Sequence, residues 1–138
     1  MRRSQSAQAL VEWAISAFVL MLFAFSFLAV DQIAGEYTVV RAAATQAAFA
    51  AARAPSERDA QDSARQAASE AVAGSQVRDL QLTLDTQGFQ RGAVLTATAT
   101  GCVGLDLFPF ASQLFGRCVQ LRWSAHALIE PYRSRRAP

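Results

Sequence analysis

The spacing of apolar residues divides the chain into three stretches. From Ala9 to Val30 the only charge is Glu12, and the run Ala14 to Val30 (AISAFVLMLFAFSFLAV) holds nothing more polar than Ser16 and Ser26. With Leu10 and Val11 before it and Ile33 after it, this stretch reaches the roughly 20 residues that a hydrocarbon core about 30 Å thick requires of a helix. The core helix of a soluble protein would carry a polar stripe at 3.6 spacing, and none crosses the centre of this run. The pattern predicts a membrane-spanning helix.

Past the apolar run the helical pattern continues through Tyr37-Thr38-Val39-Val40-Arg41 into an Ala-rich stretch, Ala42 to Ala54. Alanine has the highest helix propensity, so the helix should run on as a stalk until Pro55 ends or kinks it. Ser56 offers an N-cap, Glu57 and Asp59 suit the positive end of a helix dipole, and Gly74 closes a second helix over roughly residues 57–73. That helix has few large apolar residues, so it should be largely exposed and packed through its alanines.

From Val77 the period becomes two. Leu80-Gln81-Leu82-Thr83-Leu84 alternates as a half-buried strand, Thr86-Gln87-Gly88 supplies a turn, and Ala93 to Thr100 alternates Val94, Thr96 and Thr98 against Leu95, Ala97 and Ala99. A third strand runs from Val119 through Leu121, Trp123, Ala125 and Ala127 to Ile129, with Gln120, Arg122, Ser124 and His126 on its other face. Such alternation is that of an antiparallel sheet with one wet face. The expected fold class is α+β: a long N-terminal transmembrane helix continuing as a stalk, a second helix, then a small three-stranded antiparallel sheet packed on the helices.

Charge sets the expected orientation. Arg2 and Arg3 precede the span, and Asp31 and Glu36 are the first charges after it, so the N-terminus is expected in the cytoplasm and the remainder outside. A cleaved secretory signal is the competing reading. Against it, the apolar run exceeds the 7–15 residues typical of a signal's apolar region, and no clean A-x-A site closes it. The thirteen basic residues are all arginine and, apart from pairs at the two ends, are scattered. Without a basic face or stripe, a nucleic-acid partner is not expected.

Cys102 and Cys118 are the only cysteines, and export would place both where disulfides form. Their pairing would contribute about 3 kcal/mol to a small domain, the alternative being two unpaired thiols. Two cysteines and the single histidine, His126, do not complete a structural zinc set. No Gly-rich phosphate loop, metal-spaced His pair or nucleophile with a base stands out, so neither enzyme activity, nor a catalytic residue, nor a cofactor, metal or small-molecule substrate is expected. Between the cysteines lies an apolar segment containing Leu105, Leu107, Phe108, Phe110, Leu114 and Phe115. Filling the space between sheet and helix is its favoured role, because a small domain needs its apolar side chains inside. The sharper reading makes Leu107, Phe108, Phe110 and Phe115 a patch for a partner subunit or the membrane surface.

A carboxylate within a membrane helix is costly and invites a partner, although Glu12, at the edge of the run, is equally readable as hydrated at the interface. The surrounding residues, Ser4-Gln5-Ser6-Ala7-Gln8-Ala9-Leu10-Val11-Glu12-Trp13-Ala14, resemble the prepilin signature of the tight-adherence (Flp-type) pilus system and in particular its TadE-like minor pilins and pseudopilins. More weakly, Thr96 to Thr100, Leu107-Phe108-Pro109-Phe110 and Glu130-Pro131-Tyr132 resemble that family's later strands, loop and tail. The resemblance implies cleavage between Ala7 and Gln8 by a prepilin peptidase, with Glu12 becoming the fifth residue and an assembly determinant. Ala7 departs from the family's usual Gly, and Trp13 from its usual Phe or Tyr.

The implied organisation is a leader over 1–7, a transmembrane helix over 8–34, a helical stalk region over 35–74 and an exported β-rich domain over 75–138. Implied partners are the bacterial inner membrane, the peptidase, other pilin or pseudopilin subunits and the pilus assembly platform. The alternative, from a different functional class, is an unprocessed membrane-anchored binding module outside the cytoplasm.

Overall fold

A computed structural model of the chain describes residues 2–104 and 118–129, with side chains from residue 8 onward. The fold is α+β. Helix α1 (Arg2–Arg53) and helix α2 (Glu57–Val72) are followed by strands β1 (Val77–Asp85), β2 (Val94–Val103) and β3 (Val119–Leu128). The chain divides between Ala34 and Gly35 into two compact units.

The first unit consists of the N-terminal part of α1. Its large apolar side chains, from Leu10 and Trp13 through Phe18, Leu20 and Phe23 to Phe27 and Val30, are exposed on every side of the helix. The Ser26 hydroxyl donates to the Leu22 carbonyl one turn back at 2.8 Å, which removes the donor that would be most costly to leave unpaired in lipid.

In the second unit α1 acquires a buried stripe: Val40, Ala43, Ala44, Ala47, Ala48 and Ala51 recur at helical spacing and are inaccessible to solvent. Pro55 disfavours helical backbone at the residue before it, and α1 ends at Arg53, with the Ala54 N–H tightened onto the Ala51 carbonyl at 3.1 Å. Ser56 then caps α2 from extended backbone, its hydroxyl accepting the Asp59 N–H at 3.2 Å. Helix α2 buries Ala60, Ala64 and Ala68, spaced four apart, as the alanine-packed, largely exposed helix expected. The two helices touch closely where the Ser63 hydroxyl lies 3.4 Å from the Ala50 carbonyl. Gly74 closes α2 with φ +83°, a conformation that costs glycine little.

The sheet has the order β1-β2-β3, with both pairs antiparallel. Its buried face carries Leu95, Ala97, Ala99, Gly101 and Val103 of β2, flanked by Leu82 and Leu84 of β1 and by Leu121 and Ala127 of β3. The opposite face is a ladder of hydroxyls. Thr83, Thr98 and Ser124 share one row, with Thr98 Oγ1 and Ser124 Oγ 2.8 Å apart, and in the next row Thr96 Oγ1 lies 2.9 Å from His126 Nδ1.

Two features depart from simple alternation. Register shifts between Arg78, opposite Cys102, and Gln81, opposite Thr100, so that Asp79 and Leu80 together face Gly101. This is a β-bulge with Asp79 at φ +52°, and it turns Val77 and Leu80, three apart, toward the same buried side. Gly101 is the second feature. A Cβ there would collide with Val77 Cγ1 and press to 3.4 Å from Val40 Cγ2, so the missing side chain is what lets α1 and the bulged strand close on β2. Strand β2 accordingly continues past Thr100, where the alternation suggested an end, to Val103.

Two side-chain bonds tie the strands to the helices. The Thr86 hydroxyl, buried at the end of β1, donates to Glu57 Oε1 at 2.7 Å, and Glu36 Oε1 accepts the Gln76 N–H at 3.2 Å ahead of β1.

Candidate functional site

The residues that carry the prepilin resemblance lie on the first turns of α1. The backbone is helical from Arg2, so the Ala7–Gln8 peptide bond lies within the helix rather than in an extended segment. Gln8 and Glu12 are four apart, which puts them on one helical face a turn from each other. Glu12 and Trp13 are both exposed, and the uninterrupted apolar surface begins directly after them. This part of the molecule has no cleft. What it offers is one carboxylate at the border of a stretch, residues 13–30, that carries no other charge, within a helix long and apolar enough to cross a membrane.

The second group is the cysteine pair. Cys102, within β2, and Cys118, one residue before β3, form a disulfide with 5.7 Å between their Cα atoms. The register explains the match: Cys102 faces Gln120 across the β2-β3 pair, so Cys118 enters the sheet almost opposite it. The bond thus clamps the mouth of the connection between β2 and β3. Leu107, Phe108, Phe110 and Phe115, the suggested partner patch, lie outside the described residues.

A third group was not anticipated. Tyr37 and Arg41, one turn apart on α1, both meet Trp123 of β3. The Tyr37 and Trp123 rings stand edge to face with centroids 5.7 Å apart, and Arg41 Cζ lies 5.2 Å from the Trp123 ring centroid. Alternation alone places Trp123 on the inner face of its strand; nothing in the linear sequence joins it to two residues more than eighty positions earlier.

Among the described residues no group of His, Cys, Asp and Glu is placed to hold a metal ion. His126 is exposed and engaged with Thr96, in a cross-strand row whose third member, on β1, is Asp85. Compared with known proteins, the chain matches no protein family, no curated protein and no solved structure. The class defined by fold and sites is therefore a small disulfide-clamped α+β domain carried on a helix long and apolar enough to cross a membrane.

Proposed function

We propose that this chain is a minor pilin or pseudopilin of a tight-adherence type pilus, held in the inner membrane with its C-terminal domain outside the cytoplasm. One observation carries the reading: Gln8-Ala9-Leu10-Val11-Glu12 leads directly into the stretch of α1 that is exposed and apolar on all sides, and a small folded domain follows. A prepilin peptidase cuts between Ala7 and Gln8. The bond lies in the first turns of α1, where a helix end opens at little cost, so the protease needs only terminal unwinding.

Cleavage leaves a positive α-amine on Gln8. In assembly, the Glu12 carboxylate of an entering subunit pairs with the amine of its neighbour. Within lipid such a pair offsets the desolvation of both charges only in good geometry, so it fixes register between subunits more than it adds stability. The partners are other pilin or pseudopilin subunits and the assembly platform, with the Leu107, Phe108, Phe110 and Phe115 segment as a candidate contact.

Two experiments test this. Co-expression with a cognate peptidase should remove Met1 to Ala7, read as the intact mass of the purified protein. A retained leader, with the peptidase active on another prepilin, favours the unprocessed anchored binding module. Glu12→Ala should insert at normal level, because loss of a carboxylate eases insertion, and yet abolish piliation. Normal piliation by that variant would show that Glu12 is merely hydrated at the interface.

A further inference from the structure

Arg41 is the first cation after Arg3, so thirty-seven consecutive positions carry no basic side chain until the helix has left its apolar stretch. At about 1.5 Å per residue, a hydrocarbon core of roughly 30 Å entered at Trp13 is left near Ile33. Tyr37 then stands about 6 Å further along the helix, within the headgroup layer. The Arg41 backbone stands about one turn beyond that, but side chains on a helix lean toward its N-terminus, so the guanidinium reaches back over Tyr37. Both side chains meet Trp123, so the indole occupies the same level.

These three residues have the chemistry of an interface. Tryptophan and tyrosine favour the headgroup level, where their rings are half solvated, and arginine extends an aliphatic stem through apolar surroundings to a phosphate. None of the three is sealed in the core: Trp123 is half-buried, Arg41 is exposed, and Tyr37 keeps 36 % of its surface. Arg41 Cζ lies over the Trp123 ring, 5.2 Å from its centroid, a cation–π contact that uses no guanidinium N–H as a hydrogen-bond donor and leaves those groups for an anionic oxygen.

We infer that Tyr37, Arg41 and Trp123 form a seat for phospholipid headgroups, with Arg41 on a lipid phosphate and Trp123 at the level of the upper acyl chain. The seat brings β3, through Trp123, to the headgroups. This rests on the membrane-spanning reading of α1, so the test separates the two.

The only tryptophans are Trp13 and Trp123, so each can be isolated as a fluorophore in the full chain by Trp13→Phe or Trp123→Phe. Each variant is reconstituted in anionic phospholipid vesicles containing lipid brominated either just below the headgroup or near the acyl terminus. In Trp13→Phe, Trp123 should lose most of its emission to the shallow bromines, little to the deep ones, and resist aqueous acrylamide. Adding Arg41→Gln should relieve the shallow quenching, with near-ultraviolet circular dichroism showing that the domain is folded. Trp123 that ignores both brominated lipids while Trp13 in Trp123→Phe is quenched overturns the headgroup seat and leaves the anchor standing. If neither tryptophan is quenched, the membrane reading fails and the seat with it. Shallow quenching unchanged by Arg41→Gln overturns the role given to Arg41.

Discussion

The two parts of α1 on either side of Gly35 are both rich in apolar residues and behave oppositely. Before it, Leu, Phe, Val and Met side chains are exposed around the whole circumference, with Leu20 at 69 %. After it the helix is mostly alanine, yet one side is fully enclosed. Size explains the contrast. Bulky side chains on all faces hold other protein away and suit a solvent of lipid chains. Alanine lets backbones approach, and α1, α2 and the sheet pack through Ala43, Ala47, Ala64, Ala97 and Ala99, with Val40 the one large side chain of either helix that is fully buried. Helical propensity carries α1 through both surroundings; the side chains decide which solvent each part accepts.

That comparison is broken most sharply by truncating one leucine on each side. Leu95 is completely buried in β2, and Leu95→Ala should cost about 2–5 kcal/mol in a core that has few large side chains to relax into the space. Leu20→Ala should leave the domain's unfolding transition unmoved. Urea denaturation in detergent, followed by Trp123 emission in a Trp13→Phe background, measures both. Equal effects would mean that the anchor stretch contributes to the domain's core.

The disulfide sets the next largest difference. Removing it with paired Cys102→Ser and Cys118→Ser should lower domain stability by about 3 kcal/mol, the loss expected for a loop of this length. Reductant should do the same to the wild type, and neither should change membrane extraction, which under the proposed anchoring depends on the first unit.

The two glycines in these surroundings sharpen the comparison further. Gly101→Ala places a methyl group against Val77 and Val40 and should cost about 1–3 kcal/mol through overpacking. At Gly35, in the helix interior, an added Cβ meets nothing within 4 Å, so Gly35→Ala should stabilise α1 by up to about 1 kcal/mol. Thermal melting of each variant gives the sign. A stable Gly101→Ala protein would mean that the bulge at Asp79 and Leu80 can yield.

These positions also mark how much the sequence discloses. Helix ends, strand faces and the antiparallel order follow from period, capping and turn chemistry, because each depends on residues within a few positions of one another. Pro55, Ser56 and Gly74 act locally, and the structure puts the breaks where they predict. The bulge was visible only as an irregularity, Val77 and Leu80 at a spacing of three before a run of two, and its cause lies across the sheet at Gly101. The Tyr37, Arg41 and Trp123 cluster left no local trace, since it exists only once β3 has returned to α1. At Glu12 the proposed pairing would lie between subunits, and the fold of one chain shows only an exposed carboxylate.

The smallest expected effect compares two serines that each make one bond to the helix backbone. Ser56 accepts the Asp59 N–H at the start of α2, satisfying one of the donors that a helix leaves without an internal partner. Ser56→Ala exposes that donor to water and removes a cap, which should cost about 1 kcal/mol of domain stability. Asp59 compensates only in part, because its carboxylate now accepts the Ser56 hydroxyl at 2.7 Å and loses that bond as well. Ser26 instead donates to the Leu22 carbonyl, a group already bonded within the helix, so Ser26→Ala orphans nothing. In lipid the exchange of a hydroxyl for a methyl group makes the stretch more apolar, and insertion should be unchanged or slightly favoured. Chemical denaturation should therefore shift for Ser56→Ala alone, and alkaline extraction of membranes should distinguish neither variant from wild type. A stability loss at Ser26 equal to that at Ser56 would show that the anchor and the domain melt as one unit.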